Sequence, residues 1–505
     1  MRVAFLEQPS RWRAAVTLGI LILVASPTLD MLRRALAAGS DQALRPSFVV
    51  ALQNSVVVSI AVAVLAALIG LPLGVLFGRY HFPFRGIGLA LVALPLLLPS
   101  FLWAIGWSSI LDLSGFAGTI VSFAAPSISL VTLTTLAFSH SLSASQVEAA
   151  LLAGGELAVL KHTLGYVALP AAGAALLAGL LCLSDPGPGQ IFGLATAAGE
   201  VLTSFSAFYD FSLASRQCLT LAGVVLIAAV PLGFVMAPRI SSEILAKQTR
   251  TARLARSRFG GTFILAAVLA FSITALAVPL FGLIRPVVVE ASLGRAWNEL
   301  IRTAESTAFY AIGSGVVATG FGVAFAAAVG RSERLKRVAV ASCFVLFAVP
   351  PAVMALAFVQ AGTNAPQWAE LVFRSRLAVT LASGARLFPV AAWIGLRAWN
   401  AMPRTWALAE AIHGISLGRC LRSVVLPFLA PSLVVSVAVT GLLATADVVT
   451  VLLVHPPGQS SFPLTIFTIM ANAPQSLVAA LCLLYVASAV VLLSVLLAFE
   501  KWRSP

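Results

Sequence analysis

The chain has 505 residues, of which 60% are hydrophobic and only 10% charged, with a mean hydropathy of +1.00. A soluble surface needs roughly a quarter of its residues charged, so this alphabet excludes a water-soluble protein of that size and makes the bilayer the main solvent. The net charge of +14 could suit nucleic acid, but in so apolar a chain basic residues first fix orientation across the membrane, and no nucleic-acid partner is expected.

A spanning helix needs about 20 mostly apolar residues. Segments of that kind fall near 14–32, 50–77, 87–110, 117–139, 164–184 and 217–237. A second set falls near 262–284, 306–330, 338–361, 377–399, 424–454 and 475–499. The expected fold is all-α, a polytopic membrane protein of about twelve transmembrane helices. The fourth segment, rich in Ser and Thr, and the tenth, which contains Arg386, are the weakest of the set. Membrane strands would be shorter and alternate in polarity, which these segments do not. Arg11 and Arg13 ahead of the first segment imitate a signal peptide, but no small-x-small site closes it, so an uncleaved helix is expected.

With a cytoplasmic amino terminus and alternating spans, most of the 32 Lys and Arg fall on the cytoplasmic side. Both termini are then cytoplasmic, and the dense basic cluster from Arg239 to Arg258 becomes a mid-chain cytoplasmic linker. Cys182, Cys218, Cys343, Cys420 and Cys482 are scattered through apolar segments without metal-ligand or disulfide spacing, so small buried hydrophobes are their expected role.

The chain repeats one plan. Gly78-Arg79 is matched by Gly330-Arg331, and Pro99 by Pro351, at one common offset. Two matches in one register favour duplication. The division is a first six-span unit (1–238), the basic linker (239–259) and a second six-span unit (260–505). An even number of spans per unit gives both the same orientation, as parallel repeats related by an axis along the membrane normal. Pro95 and Pro99, then Pro350 and Pro351, free backbone carbonyls inside a span. They read equally well as plain kinks or as facing bends on a translocation path.

A short phrase also recurs. "SQVEAALLAGGELAVLKH", from Ser145, holds good helix formers, and Gly154 and Gly155 can break that helix, with a positive φ expected at the turn glycine, Gly154. "LAEAIHGISLG", from Leu408, is the second copy. Each precedes a Leu-Pro pair, Leu169-Pro170 and Leu426-Pro427, where proline suits the first turn of the next span. Such a short helix with a glycine turn makes a knob for a partner's groove.

These residues resemble the cytoplasmic EAA loop of permease subunits of binding-protein-dependent ABC importers, and the resemblance covers nearly the whole chain. Glu148, Ala149, Ala150 and Gly154 match in the first half, with Leu169-Pro170 a little late. Gly414 and Leu426-Pro427 match in the second, where "MPRTW" from Met402 resembles the usual lead-in. There Leu408 stands where Glu is expected, and Ala409-Glu410 lie slightly beyond register. The resemblance implies a pore-forming subunit of the bacterial inner membrane, with two copies of an ATP-binding subunit on its two loops and a periplasmic or extracellular solute-binding protein as the other partner. "LLVHPPGQSSFPLTIFTIMANAPQSLVAALCLL", from Leu452, is similar to fused twelve-span permeases of the ferric-iron group, and "LLCLSDPGPGQIFGL", from Leu180, is a looser echo. Related members handle thiamine, polyamines or phosphonates.

No catalytic constellation emerges. Lys161, Lys247, Lys336 and Lys501 are the only lysines, and none follows a Gly-rich loop, so no P-loop is present and energy must come from a partner. His81, His140, His162, His413 and His455 lack ligand spacing, and neither a metal nor a cofactor is expected. Arg386 is costly inside a span and faces a cavity or a partner, so with Pro99 and Pro351 it is the candidate pore residue. Asp447 resembles it but reads as closer to the interface. The rival class is a twelve-span secondary transporter, which would want several buried carboxylates; the acidic residues read here mostly as loop residues.

Overall fold

The computed structural model describes residues 11–37, 44–245, 258–290, 292–363, 365–403, 405–406 and 417–503. Among them there is no β-strand, and the chain is an all-α, multi-pass membrane protein. The first half runs α1 (Arg11–Ala37), α2 (Pro46–Arg79), α3 (Arg85–Leu97), α4 (Ser100–Ser108), α5 (Gly115–His140) and α6 (Ala144–Leu183). Two short helices follow, α7 (Gly187–Ile191) and α8 (Ala197–Ser206), and then the long α9 (Phe211–Leu245).

The second half runs α10 (Arg258–Ser272), a π turn (Ile273–Ala277), α11 (Val278–Glu290), α12 (Leu293–Val329), α13 (Glu333–Ala348), α14 (Pro351–Thr363) and α15 (Gln367–Phe373). It continues with α16 (Arg376–Ala401), α17 (Leu417–Cys420), a second π turn (Leu421–Val425) and α18 (Leu426–Ala446). It closes with α19 (Val448–Val454), α20 (Phe462–Ile469) and α21 (Gln475–Arg503).

Among the described residues, ten helices are long and apolar enough to cross a membrane. The third and ninth expected spans are instead bent pairs: α3 and α4 meet at 97°, α13 and α14 at 86°. Proline explains both bends. A residue before proline is pushed out of the helical region. Leu98 (φ −110°, ψ 146°) precedes Pro99, and Val349 (φ −56°, ψ 132°) precedes Pro350.

Helix packing decides whether each pair crosses. Gly70, Gly74 and Gly78 of α2 lie against Val131, Thr135 and Ser139 of α5, in rising order along both helices. A β-carbon on any of them would come within 2.8, 2.5 and 2.5 Å of those residues' Cβ atoms, so only glycine allows this approach. Rising order means that α2 and α5 run parallel. The chain must therefore return to its starting side between them, and only α3 with α4 is there to carry it. The same holds where Gly313 of α12 meets Thr380 of α16 and Gly322 meets Ala391. Counting each bent pair as one broken crossing, the described residues reach twelve.

The two halves interlock. Gly106 of α4 lies against Pro279 of α11, and Phe101 of α4 meets Phe467 of α20 edge to face at 5.7 Å. Conversely, Gly233 of α9 lies against Ala341 of α13. One core cluster joins Trp103 of α4 to Cys482 and Tyr485 of α21, and another joins Leu221 and Val225 of α9 to Val353 and Leu356 of α14. Each bent pair thus packs against the opposite half as well as its own, and the two bends face a common space.

Several expected boundaries move: the sixth span is the longer α9 (Phe211–Leu245), and the eighth begins at Leu293 rather than near 306. The fifth span begins well before residue 164, because the Ala-Leu-rich stretch continues α6 without interruption from the Gly154–Gly155 break. The segment 424–454 is two helices, since Asp447 (φ −83°, ψ 73°) leaves helical geometry between α18 and α19.

Candidate functional site

The space between the bends is a cavity of about 200 Å³, lined by Pro99, Ser100, Asp185, Pro351, Arg386 and Asp447. Phe101, Phe347 and Phe467 contribute apolar wall. The three candidate pore residues, from α4's entry, α14's entry and the middle of α16, therefore border one cavity.

Its charges are held by local backbone chemistry. Asp447 fills the break between α18 and α19: Oδ1 accepts the Thr450 amide at 3.3 Å and Oδ2 accepts the Thr450 hydroxyl at 2.6 Å. A carboxylate there satisfies an amide left unpaired in the first turn of α19. Arg386 Nη1 donates to the same Oδ2 at 3.2 Å, with side-chain exposures of 12% and 3%. Asp185 stands just past the end of α6. Its Oδ1 accepts the Gly187 amide at 2.9 Å, and its Oδ2 accepts the Ser100 hydroxyl. One guanidinium and two carboxylates thus line an otherwise largely apolar space. At roughly 30 Å³ of liquid volume per water, it has room for about half a dozen waters.

Asp447 is buried in the bundle, where it meets Arg386 of α16. Asp185 was not foreseen. Its only signal was the Asp-Pro-Gly run inside "LLCLSDPGPGQIFGL", and nothing local shows that Ser100 lies beside it.

The repeated phrase lies apart from this cavity. In the first copy, Ser143 caps α6 through a reciprocal box with Gln146, at 3.3 and 3.2 Å. The first part of α6 then carries Glu148 and Ala149 exposed and Ala150 half-buried. Leu152 is 90% exposed. The break follows, with Gly154 at φ −173°, ψ 26° and Gly155 at φ 67°, ψ −158°. The left-handed residue is Gly155, not Gly154, because the chain turns after the extended residue. Leu169 and Pro170 also differ from expectation: they lie deep inside α6 beyond the break, with Pro170 buried, so Pro170 is not in a first turn.

In the second copy, Ala409, Glu410 and Gly414 lie outside the described residues. On its flanks, Arg331 Nη2 donates to the Met402 carbonyl, and Trp406 meets Phe428 edge to face at 5.3 Å. Pro427 directly follows the second π turn, inside one continuous helical span from Gly418 to Ala446, so it too is not in the first turn of the span; both Leu426 and Pro427 are exposed. No protein-family model, no curated protein and no solved structure matches the chain.

Proposed function

We propose that this chain is the pore-forming permease subunit of an ATP-driven importer, built as two parallel six-span units in a bacterial inner membrane with both termini cytoplasmic. The observation that carries the reading is the capped, exposed helix from Ala144 to the Gly154–Gly155 break, which presents Leu152 to solvent and is continuous with a spanning helix. A short helix attached to a span in this way suits the groove of an ATP-binding subunit. The duplicated plan supports the same reading. Each half contains a parallel glycine-packed pair, a bent pair between its members and six crossings, and an even count lets both halves face the same way.

In this reading the solute passes from a binding protein through the cavity between the bends, and two ATP-binding subunits act on the two loops. Ferric iron is the first substrate class to examine, on the strength of the late Pro-Pro-Gly segment. The chain carries no P-loop, so purified alone it should hydrolyse no ATP. Reconstitution with the cognate ATPase should give two ATPase copies per chain by native mass measurement. One copy per chain would refute the two-loop reading.

A secondary transporter is the second reading, and a specific observation favours it: Asp185 and Asp447 both line the cavity, where an ion-coupled carrier needs carboxylates. Proteoliposomes separate the two. Uptake driven by an ion gradient without ATP or ATPase would favour the carrier, and uptake strictly dependent on both would favour the importer.

A further inference from the structure

The end of α2, the end of α5 and the start of α3 converge on a basic corner that the transport reading does not use. Arg79, the last residue of α2, is only 8% exposed. No hydrogen-bond acceptor or carboxylate among the described residues pairs with its guanidinium. Arg85, the first residue of α3, donates through Nε and Nη2 to the Phe77 carbonyl at 3.2 and 3.0 Å. Its Nη2 also lies 3.0 Å from His140 Nε2. Arg79 and Arg85 both lie within electrostatic reach of that imidazole. No ion pair joins either arginine to an acid among the described residues.

The start of α3 adds to this unmet positive charge. Its cap residue is Phe84, in the left-handed region at φ 59°, and no side chain caps the helix. The first-turn amides therefore point outward unsatisfied, and the helix has no acidic residue in its first turn. The corresponding entry in the second half is complete in itself. Ser332 caps α13, Glu333 occupies its first turn and pairs with Arg337, and Arg331 donates to the Met402 carbonyl. The same structural position is self-satisfied in one half and lacks an anion in the other.

We propose that the Arg79–Arg85 corner binds the phosphate of an anionic phospholipid headgroup. Guanidinium groups and free helix amides are phosphate ligands by geometry and charge. The source follows from the surroundings: Phe84 and Ile87, both strongly exposed, flank the corner with apolar surface at the end of two spanning helices. That is where headgroup meets acyl chain, and the bilayer is the partner that this chain's composition guarantees. The inference does not depend on the importer reading.

The test uses the full-length chain in neutral detergent, with native mass spectrometry after addition of phosphatidylglycerol or phosphatidylcholine of matched acyl chains. The wild-type chain should retain phosphatidylglycerol preferentially. Arg79→Gln should weaken that retention by at least about tenfold, as expected for loss of a charge-assisted bond, while Arg331→Gln should leave it unchanged. A Gly86→Asp variant avoids the arginines altogether. Gly86 has open space around its β position, so an added carboxylate should satisfy the α3 amides, keep or raise the melting temperature and still abolish phosphatidylglycerol preference. Equal retention by wild type and by folded Gly86→Asp would overturn the proposal. So would inorganic phosphate binding as tightly as the lipid, which would mark a free-anion site. Loss of ATPase binding in Arg79→Gln with lipid retention unchanged would also overturn it, in favour of a protein contact.

Discussion

Removing both members of the Arg386–Asp447 pair should destabilise the chain by clearly less than the sum of the two single losses. Each side chain is largely withdrawn from solvent, and truncating one partner of a buried pair costs about 3–5 kcal/mol because the other charge is left unpaired. The lower end applies here. Asp447 keeps two bonds from Thr450, and the adjoining cavity can admit water. Arg386→Met and Asp447→Asn should therefore each cost about 3 kcal/mol. In the double variant the introduced side-chain amide can still cap α19 through its oxygen and no charge is left unpaired, so the loss should fall short of the sum by about 2 kcal/mol. The assay is a double-mutant cycle on detergent-solubilised chain, unfolded with sodium dodecyl sulfate and followed by tryptophan fluorescence. Single variants that lose under about 0.5 kcal/mol, or strictly additive losses, would refute a buried and coupled pair.

Gly155→Ala should be worse than Gly154→Ala. Its backbone lies in a region essentially reserved for glycine, at a cost of about 1–3 kcal/mol for other residues, whereas Gly154 is extended; ATPase co-purification per folded chain, read beside folded yield, measures the difference. Gly74→Val should lose folded yield, because its β-carbon would lie 2.5 Å from Thr135 Cβ and 2.6 Å from the Thr132 carbonyl, while Gly165→Ala, with nothing within 4 Å, should be neutral or stabilising in thermal unfolding. For orientation, a cysteine at Gln459 should react with an impermeant reagent from outside and one at Glu148 should not; all five native cysteines are buried, so background labelling should be low, and the reverse pattern would overturn the topology.

What was legible in the sequence follows the range of the physics involved. Membrane residence is a matter of composition, so the apolar segments were readable one by one. The bends at Pro99 and Pro350 were readable too, because proline restricts its neighbour through local sterics. Arg386 stood out since charge inside a span is expensive anywhere. The rest depends on contacts between distant parts of the chain. That Asp185 meets Ser100, or that Asp447 caps α19 and pairs with Arg386, requires the interlocked halves. Which member of Gly154–Gly155 takes the positive φ depends on the direction in which α6 leaves the loop. Pro170 misled because a proline inside a long buried helix and one in a first turn look alike in one dimension.

The glycine seams described for α2 with α5 and α12 with α16 bear on how the molecule can deform. Backbones that approach through Gly70, Gly74 and Gly78, or through Gly313 and Gly322, leave no side-chain cushion to compress and no gap for lipid. Sliding either helix along its partner would drive a residue such as Val131 or Thr380 into the neighbouring backbone. Each pair is therefore a stiff strut. The compliant joints are the places where helical hydrogen bonding already lapses: Leu98–Pro99, Val349–Pro350, Asp447 and the Gly154–Gly155 break. Three of those four joints border or adjoin the cavity, and the fourth carries the exposed helix. Any change in the cavity's shape must then take place as rotation of whole struts about these few residues.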